Sequence, residues 1–294
     1  MNLPQLVQAC AQSLTDAQVA FGQGTTNAHD EAAWLVLWQL GLPLDIDIND
    51  PAHDVALPAE LIAKVQALIA QRIATRKPAA YLTQEAWLQG MSFYIDERAI
   101  VPRSLIAEVL ANGSIDPWLH PATQRVLDLC TGNGSLGLLA AMAFPDIHVL
   151  GLDISNDALD VARINVERHG LQDRMRLAQS DGLQNAHGEF DLIVCNPPYV
   201  NAHSMAELPA EFKAEPTLAL AGGTDGMDFV RQLLRDAPAH MSQHALLVLE
   251  IGHEREHFEA AFPTLDAVWL STSAGDDHVL LLSRQAILEG TPNP

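Results

Sequence analysis

A short polar corner of sequence NPPY follows a run of strand-forming residues. Residues 190–194 (FDLIV) favour a buried strand, because β-branched and aromatic side chains pack well on a pleated surface. Proline cannot donate to a strand ladder, so Pro197 and Pro198 end this strand and stiffen the backbone after it. Asn196 and Tyr199 add an amide carbonyl and an aromatic ring. Such a stiff, polar strand end is either an ordinary turn or a place where a ligand is held.

A glycine-rich stretch forms a second candidate site. Residues 128–137 (DLCTGNGSLG) contain the pattern G-x-G-x-x-G at Gly132, Gly134 and Gly137. Glycines at such positions allow a tight turn and a close approach of the backbone to a ligand. The pattern by itself fits NAD binding, and a lone glycine pattern is a weak signal.

Three carboxylates narrow the choice of ligand. Asp128, Asp153 and Asp181 each stand at the end of a predicted strand. Asp153 follows the glycines at the spacing from which a carboxylate can accept hydrogen bonds from ribose hydroxyls, and Asp181 could accept from an adenine amino group. Asp128 would repel a pyrophosphate but attract an amine or another cation. Each aspartate alone could be a strand-end cap or a turn residue, but together they predict S-adenosylmethionine as the ligand.

Alternating strands and helices must position these residues. From residue 125 onward, apolar runs typical of strands, such as RVLDLC, HVLGLDI and FDLIVCN, alternate with helical patterns such as DALDVARINVERHG. This order predicts an α/β fold with a doubly wound, seven-stranded, mostly parallel sheet, in which ligands bind beyond the carboxyl ends of the strands. Residues 211–226 (EFKAEPTLALAGGTDG) are expected to form a loop that closes over the site.

The chain is expected to contain two domains and a linker. Residues 1–85 carry helical patterns, in HDEAAWLVLWQLG and PAELIAKVQALIAQRIATRK, and predict a small helical domain. Residues 86–103 predict a β-hairpin linker, and residues 104–294 predict the α/β domain. The last ten residues, 285–294, are expected to fray.

Composition bounds the possible partners. The 294 residues are 48% apolar, which allows a substantial core, and 16 basic against 37 acidic residues give a net charge of −21. This charge disfavours a nucleic-acid partner, because phosphate binding requires Lys and Arg, and it fits either simple solubility or a basic protein partner. Scattered cysteines and histidines predict no metal site. The sequence shows neither a secretory signal nor a membrane-spanning run, so a cytoplasmic location is expected.

The motifs together resemble a known family. VLDLCTGNGSLG, GLDIS, SDG and NPPYV are similar to those of class I S-adenosylmethionine-dependent methyltransferases, and the NPPY form is typical of members that methylate an amide or exocyclic amine nitrogen. FYIDERAIVPRSLIAEVL, ELPAEFKAEPTLALAGGTDGMDFVRQLL and the helical N-terminal region resemble the PrmB-type glutamine methyltransferases over nearly the whole chain. The resemblance implies methylation of the N5 amide nitrogen of a glutamine in a basic protein, the third large-subunit ribosomal protein. It also implies that the N-terminal domain recognises the substrate.

The resemblance gives roles to individual residues. The Asn196 side-chain carbonyl and the Pro197 backbone carbonyl would accept the two N–H groups of the glutamine amide. Tyr199 would stack on that amide, and Pro198 completes the candidate catalytic corner. The candidate cofactor-binding residues are Asp128, Thr131, Gly132, Gly134, Asp153, Ile154, Asp181, Gly182 and Asn196.

Several alternatives stay open on sequence alone. A sister group methylates the Gly-Gly-Gln glutamine of peptide-release factors and usually carries IPRPDTE, where this chain has VPRSLIAE at residues 101–108, which favours the ribosomal branch. Adenine-N6 methylation of DNA would use the same corner, but the acidic charge counts against it. An NAD-dependent oxidoreductase leaves Asp128 and NPPY unexplained, and a non-catalytic ribosome-assembly binder would not need Asn196.

Overall fold

The chain divides into two compact units. The computed structural model describes residues 1–290. A helical unit comprises Met1–Ala86 together with the short segment Leu208–Glu215, and an α/β unit comprises Trp87–Glu207 with the chain from Pro216 onward. Each unit is described by itself below.

Regular elements account for most of the described chain. Within residues 1–290 the helices are α1 (Leu3–Asp16), α2 (Ala28–Leu40), α3 (Ala59–Thr75), α4 (Ala79–Thr83), α5 (Ile106–Ala111), α6 (Ser135–Ala143), α7 (Asn156–Arg168), α8 (Ala202–Glu207), α9 (Ala210–Lys213), α10 (Asp228–Asp236), α11 (Arg255–Ala261) and α12 (Arg284–Gly290). The strands are β1 (Glu85–Leu88), β2 (Met91–Tyr94), β3 (Arg125–Leu129), β4 (His148–Asp153), β5 (Met175–Gln179), β6 (Phe190–Cys195), β7 (Met241–Glu250), β8 (Val268–Thr272) and β9 (Gly275–Ser283). Single 3₁₀ turns lie at Pro51–His53, Asp116–Trp118, Thr217–Ala219 and Ala237–His240.

Three helices of the helical unit share one apolar core. Leu6 of α1, Leu35 and Val36 of α2, and Val65 and Ile69 of α3 are all buried in it. These residues recur at helical spacing, so each helix turns one apolar face towards its neighbours. The burial of that face, rather than helix propensity alone, stabilises helices of this length.

A reciprocal cap fixes the start of α1. The Asn2 side-chain oxygen accepts a hydrogen bond from the Gln5 backbone N–H at 3.0 Å, and the Gln5 side-chain oxygen accepts one from the Asn2 N–H at 3.1 Å. Pro4 lies in the first turn, where its missing N–H would have had no helical partner. The helical patterns used above did not identify α1, although the spacing of Asn2 and Gln5 was a signal for it.

Buried charged groups hold the segment Leu208–Glu215 within the helical unit. The Arg72 guanidinium is fully buried, and its Nε donates to Glu31 Oε1 at 2.8 Å. Glu211 Oε1, from α9, lies 3.6 Å from Arg72 Nη1 and accepts from Arg76 Nη1 at 3.1 Å. Glu31 and Glu211 are only 2% exposed, so these charges depend on one another for compensation.

This network changes the expected role of residues 211–226. Glu215 is also buried in the helical unit, where its carboxylate accepts from Gln23 Nε2 at 3.2 Å. A segment whose carboxylates are buried against fixed partners cannot open and close as a free loop without exposing them. The expectation of one long closing loop is therefore wrong for the part that belongs to Leu208–Glu215, which includes the helix α9.

The α/β unit contains the predicted sheet. Its seven strands are ordered β5-β4-β3-β6-β7-β9-β8, with β9 antiparallel to both of its neighbours and the other pairs parallel. Alternate residues of β3 face two different cores: Val126 packs with residues of α5 and α6, and Leu127 packs with residues of α10. The doubly wound, seven-stranded, mostly parallel fold is thus confirmed, and the strand order reverses beside β3, between β4 and β6.

The hairpin strands β1 and β2 form a separate two-stranded sheet. The Tyr94 N–H at the end of β2 donates to the fully buried Asn165 side chain of α7 at 2.7 Å. Asn165 Nδ2 donates in turn to the Asn133 carbonyl at 2.9 Å. This amide fixes the hairpin and the glycine-rich loop to the same helix.

The carboxyl-terminal part of the described chain is ordered as helix. Residues 284–290 form α12, in which Ile287 is fully buried, so the expectation of fraying is wrong for this stretch. The rest of the segment expected to fray, residues 291–294, lies outside the described residues. No helix among residues 1–290 combines the length and the apolar character that crossing a membrane requires.

Replacing Arg72 by methionine should destabilise the helical unit strongly. Methionine approximates the volume but leaves Glu31 and Glu211 buried without that cation, and breaking a buried pair in this way costs about 3–5 kcal/mol. The free energy of opening is measured by hydrogen exchange of the most protected amides of α2 and α3.

A matched control is available on the same helix. Lys64 of α3 forms an exposed ion pair with Glu60 at 3.0 Å, and Lys64→Met should change the same opening free energy by less than about 1 kcal/mol. Equal losses in the two variants would contradict the assigned importance of the buried network.

Candidate active site

The ends of three adjacent strands bring the candidate residues to one edge of the sheet. The register pairs Leu129 of β3 with Cys195 of β6 on one side and with Leu152 of β4 on the other. All three strands are parallel, so the residues that follow them leave the sheet side by side. The glycine-rich loop, Asp153 and the NPPY corner therefore lie together, beside the reversal of strand order.

The glycine-rich loop is shaped by backbone hydrogen bonds and left-handed residues. The Thr131 N–H donates to the Leu152 carbonyl at 2.9 Å, and the Gly134 N–H donates to the Thr131 carbonyl at 2.8 Å. Cys130, Gly132 and Gly134 have φ angles of 60°, 54° and 84°. Left-handed residues at alternate positions make a tight turn, and glycine adopts this conformation without the steric cost that Cys130 bears.

Asp128 lies beneath this loop and is fully buried. Its Oδ2 accepts from the Thr131 hydroxyl at 2.5 Å and from the Gly137 N–H at 2.8 Å. Its Oδ1 has no hydrogen-bond partner among the described residues. Burial raises the pKa of this carboxyl to about 7, although the two hydrogen bonds oppose the shift. The side chain therefore supports the loop with one oxygen, while the other oxygen is buried without a hydrogen-bond partner among the described residues.

Gly137 is required by this arrangement. A Cβ at this position would approach Asp128 Oδ2 to 2.9 Å and Met175 Cε to 2.6 Å, distances that real Cβ atoms do not adopt without movement of the neighbours. The third glycine of the motif is therefore a packing position between α6 and the strands, whereas Gly132 and Gly134 shape the turn.

Asp153 secures the opposite side of the loop. Its Oδ2 accepts from the Gly132 N–H at 2.9 Å and its Oδ1 accepts from the Ser155 N–H at 2.9 Å. Burial raises the pKa of this carboxyl, and the backbone hydrogen bonds counteract the rise. The next side chain, Ile154, is 44% exposed and offers an apolar surface beside the carboxylate.

The third strand tip is linked to the second but is more open. The Ser180 N–H donates to the Asp153 carbonyl at 2.8 Å, and the Ser180 hydroxyl donates to the Gly182 carbonyl at 2.8 Å. Asp181 between them is exposed, and Gly182 is in the left-handed region with a φ of 55°. The three aspartates thus lie at or near the carboxyl ends of β3, β4 and β5, and their burial decreases from Asp128 to Asp181.

The NPPY corner directly follows β6. Pro197 is buried, whereas Asn196, Pro198 and Tyr199 are half-buried. Leu129 pairs with Cys195, so Asn196 leaves the sheet beside the first residue of the glycine-rich loop. Asn196 and the glycine-rich loop therefore begin at neighbouring strand ends.

Tyr199 is held from several directions. Its hydroxyl donates to Glu250 Oε1 at 3.3 Å. A Cβ on Gly252 would lie 2.4 Å from its Cε2, and a Cβ on Gly222 would lie 2.7 Å from its backbone, so both contacts require glycine. Burial and the nearby Glu250 carboxylate raise the pKa of the Tyr199 phenol, against the opposing charge of Arg103. The phenol is therefore neutral at physiological pH.

The segment after Tyr199 is fixed at both of its ends. Val200 and Ala221 form an isolated parallel bridge, in which the Val200 N–H donates to the Leu220 carbonyl at 2.8 Å. The Asn201 side chain donates to Glu254 Oε1 at 2.7 Å. The chain can therefore leave the α/β unit and return to it without loosening the NPPY corner.

Two acidic residues of this site were missed by sequence reasoning. Glu250 is the last residue of β7 and Glu254 follows shortly after it. Both are buried, and they hold Tyr199 and Asn201. The signal that identified Asp128 and Asp153, an acidic residue at the end of a predicted strand, was also present at Glu250.

This chain is similar to known proteins both within one domain and along nearly its full length. The family model described as the methyltransferase small domain matches residues 107–244. Ribosomal protein uL3 glutamine methyltransferase from Bordetella pertussis is 51% identical over 290 residues, which cover 97% of this chain and 96% of that protein. The protein of the same name from Burkholderia pseudomallei is 47% identical over 287 residues, covering 94% and 92%.

Among solved structures, the hMettl16 catalytic domain in complex with the MAT2A 3′UTR hairpin 1 is similar in fold. It superposes with a TM-score of 0.54 at 16% identity, and the match covers 85% of this chain and 89% of that one. At this identity the likeness supports the fold alone. The high identity along nearly the full length of the Bordetella and Burkholderia proteins shows that this chain belongs to the family of ribosomal protein uL3 glutamine methyltransferases.

Proposed function

We propose that this protein transfers a methyl group from S-adenosylmethionine to the N5 side-chain nitrogen of a glutamine in ribosomal protein uL3. The relatives at 47–51% identity are named as glutamine methyltransferases of ribosomal protein uL3. The observation that carries the proposal is the pairing of Leu129 with Cys195, from which the NPPY corner and the glycine-rich, acidic loop leave the sheet side by side.

The residues of the loop fit this donor. Exposed Ile154 would offer an apolar contact for a flat adenine, and the Asp153 carboxylate would accept hydrogen bonds from ribose hydroxyls. Asp181 and Gly182 would border the adenine edge. The unpartnered Asp128 Oδ1 favours a cation over a phosphate. When bound, S-adenosylmethionine supplies a methyl group already activated by its sulfonium.

The NPPY corner is proposed to orient the acceptor. An amide nitrogen is a poor nucleophile because its lone pair is shared with the carbonyl. The Asn196 side-chain carbonyl and the Pro197 carbonyl accept its two N–H bonds, so the nitrogen lone pair faces the methyl group. Tyr199 covers the flat amide. Alignment of two reactants of this kind can lower a barrier by about 7–11 kcal/mol.

The acceptor proton leaves without a dedicated base. The Tyr199 phenol is neutral and its pKa is raised, so it is not a proton acceptor. The Glu250 carboxylate already accepts hydrogen bonds from Ser104, Leu105 and Tyr199. Methyl transfer leaves the sulfur neutral and the amide nitrogen cationic, and this cation is strongly acidic, so water can take its proton to give the neutral N-methyl amide.

Charge and domain organisation support a basic protein as the substrate. A net charge of −21 attracts a basic protein over long distances and accelerates encounter, whereas it repels nucleic acid. We assign substrate recognition to the helical unit and methyl transfer to the α/β unit. The free ribosomal protein is the expected substrate, because assembled rRNA would repel the acidic enzyme.

Asn196→Ala should lower the rate of methyl transfer far more than it lowers the affinity for the donor. The variant loses one of the two acceptors that orient the amide, and the rate should fall on the order of 10²-fold or more. Transfer of radiolabelled methyl groups to recombinant uL3 measures the rate, and calorimetric titration with S-adenosylmethionine measures donor affinity. Asn156→Ala, at an exposed position on α7, is the matched control and should behave as wild type.

The substrate is tested by direct competition. Wild-type enzyme should label free uL3 faster than it labels peptide-release factor, adenine-containing DNA or intact large ribosomal subunits. Preferential labelling of release factor would reassign the substrate. NAD binding in place of S-adenosylmethionine would reject the methyltransferase assignment altogether.

Donor binding should release protons near neutral pH. The pKa of Asp128 is about 7 without donor, and a bound cation favours its ionised form, so affinity should rise with pH between about 6 and 8. Calorimetry in buffers of different ionisation enthalpy measures the fraction of a proton released.

Asp128→Asn removes this titrating group and should remove the proton release. Asp146→Asn, at an exposed position, should retain it. Undiminished proton release in Asp128→Asn would show that another group is responsible.

A further inference from the structure

Glu250 is a buried carboxylate that joins three parts of the α/β unit. It is the last residue of β7 and is 4% exposed. Its Oε2 accepts from the Ser104 hydroxyl at 2.5 Å and from the Leu105 N–H at 2.9 Å, and its Oε1 accepts from the Tyr199 hydroxyl at 3.3 Å. One side chain thus connects the sheet, the start of α5 and the NPPY corner.

The hydrogen bonds compensate for the loss of water around this carboxylate. Burial raises the pKa of Glu250, and the donors from Ser104, Ile106, Leu105 and Tyr199 oppose that rise. A buried acid is expensive to retain in a fold unless its oxygens are satisfied in this manner. Its two oxygens serve different groups: Oε2 holds the segment that precedes α5, and Oε1 holds the phenol.

The same segment also reaches the glycine-rich loop. Asn133 Nδ2 donates to the Ile100 carbonyl at 2.8 Å. Residues 100–106 are therefore attached to the glycine-rich loop through Ile100 and to the acceptor corner through Ser104 and Glu250. These hydrogen bonds connect the glycine-rich loop to the NPPY corner by a second route, besides the pairing of β3 with β6.

We propose that Glu250 is a positioning residue for methyl transfer, acting through the Tyr199 hydroxyl and through Ser104 to align the acceptor corner with the donor loop. This inference rests on the proposed function, because it concerns the same reaction. Glu250 touches neither donor nor acceptor in this scheme. Its hydrogen bond fixes the position of the Tyr199 hydroxyl, while the ring of Tyr199 packs against Gly252 and its backbone packs against Gly222.

The variants Glu250→Gln and Tyr199→Phe test the proposal. The glutamine retains one oxygen for the backbone donors, and the phenylalanine retains the aromatic ring but loses the bond to Glu250. Each should lower the single-turnover rate of methyl transfer to recombinant uL3 by about tenfold or more, because misalignment affects the chemical step. The dissociation constant for S-adenosylmethionine should stay within about twofold of wild type, because the alignment concerns the acceptor.

A double-mutant cycle separates positioning from general destabilisation. If Glu250 acts through the Tyr199 hydroxyl, the double variant should be no more than about twofold slower than the slower single variant. Multiplicative losses in the double variant, or an unchanged rate in Glu250→Gln, would overturn the proposal. Glu256→Gln, an exposed carboxylate on α11, is the matched control and should match wild type.

Ser104→Ala keeps the test decisive if Glu250→Gln does not fold. Ser104→Ala and Tyr199→Phe each remove one hydroxyl bond to Glu250 and leave the carboxylate in place. Unchanged transfer rates in both variants would overturn the proposal. Failure of the wild-type enzyme to methylate uL3 would instead reject the proposed function, so the two failures are distinguishable.

Discussion

The parallel pairing of β3 with β6 is the constraint on which the rest of the site depends. The pairing of Leu129 with Cys195 fixes where the glycine-rich loop and the NPPY corner leave the sheet. A register shift of one residue would turn every side chain of the strand to the opposite face, so both apolar cores would have to break. The energy of core packing therefore also determines how the glycine-rich loop and the NPPY corner are placed relative to each other.

Buried acids then make these strand ends rigid. Asp128 and Asp153 hold the glycine-rich loop from two sides, and Glu250 holds the opposite corner. Each carboxylate accepts hydrogen bonds from backbone or hydroxyl donors, which offsets part of the cost of burial. The arrangement favours a preorganised site, which suits a reaction in which an activated methyl group needs an aligned but weak nucleophile. In the helical unit, buried Arg72 likewise compensates the buried carboxylates of Glu31 and Glu211.

The sequence by itself determined the fold class and most of the candidate site. Alternating apolar runs and helical patterns predicted the seven strands, because local periodicity records which faces are buried. NPPY, the glycine motif and the aspartates were visible because they are consecutive residues or follow strands directly. The acid at the end of β7, Glu250, carried the same signal and was missed, as was the Asn2–Gln5 cap of α1.

Only the tertiary structure decided which distant residues meet. No local pattern indicates that Glu211 belongs with Arg72, because their partnership depends on how far-separated segments pack. Local sequence likewise does not indicate that Ser104 meets Glu250. It also does not indicate that one oxygen of Asp128 binds the glycine-rich loop while the other has no partner among the described residues. The periodicity of the sequence specifies the helices and strands and which of their faces are buried. The partners of a buried charge are instead the groups that the completed fold brings within hydrogen-bond distance.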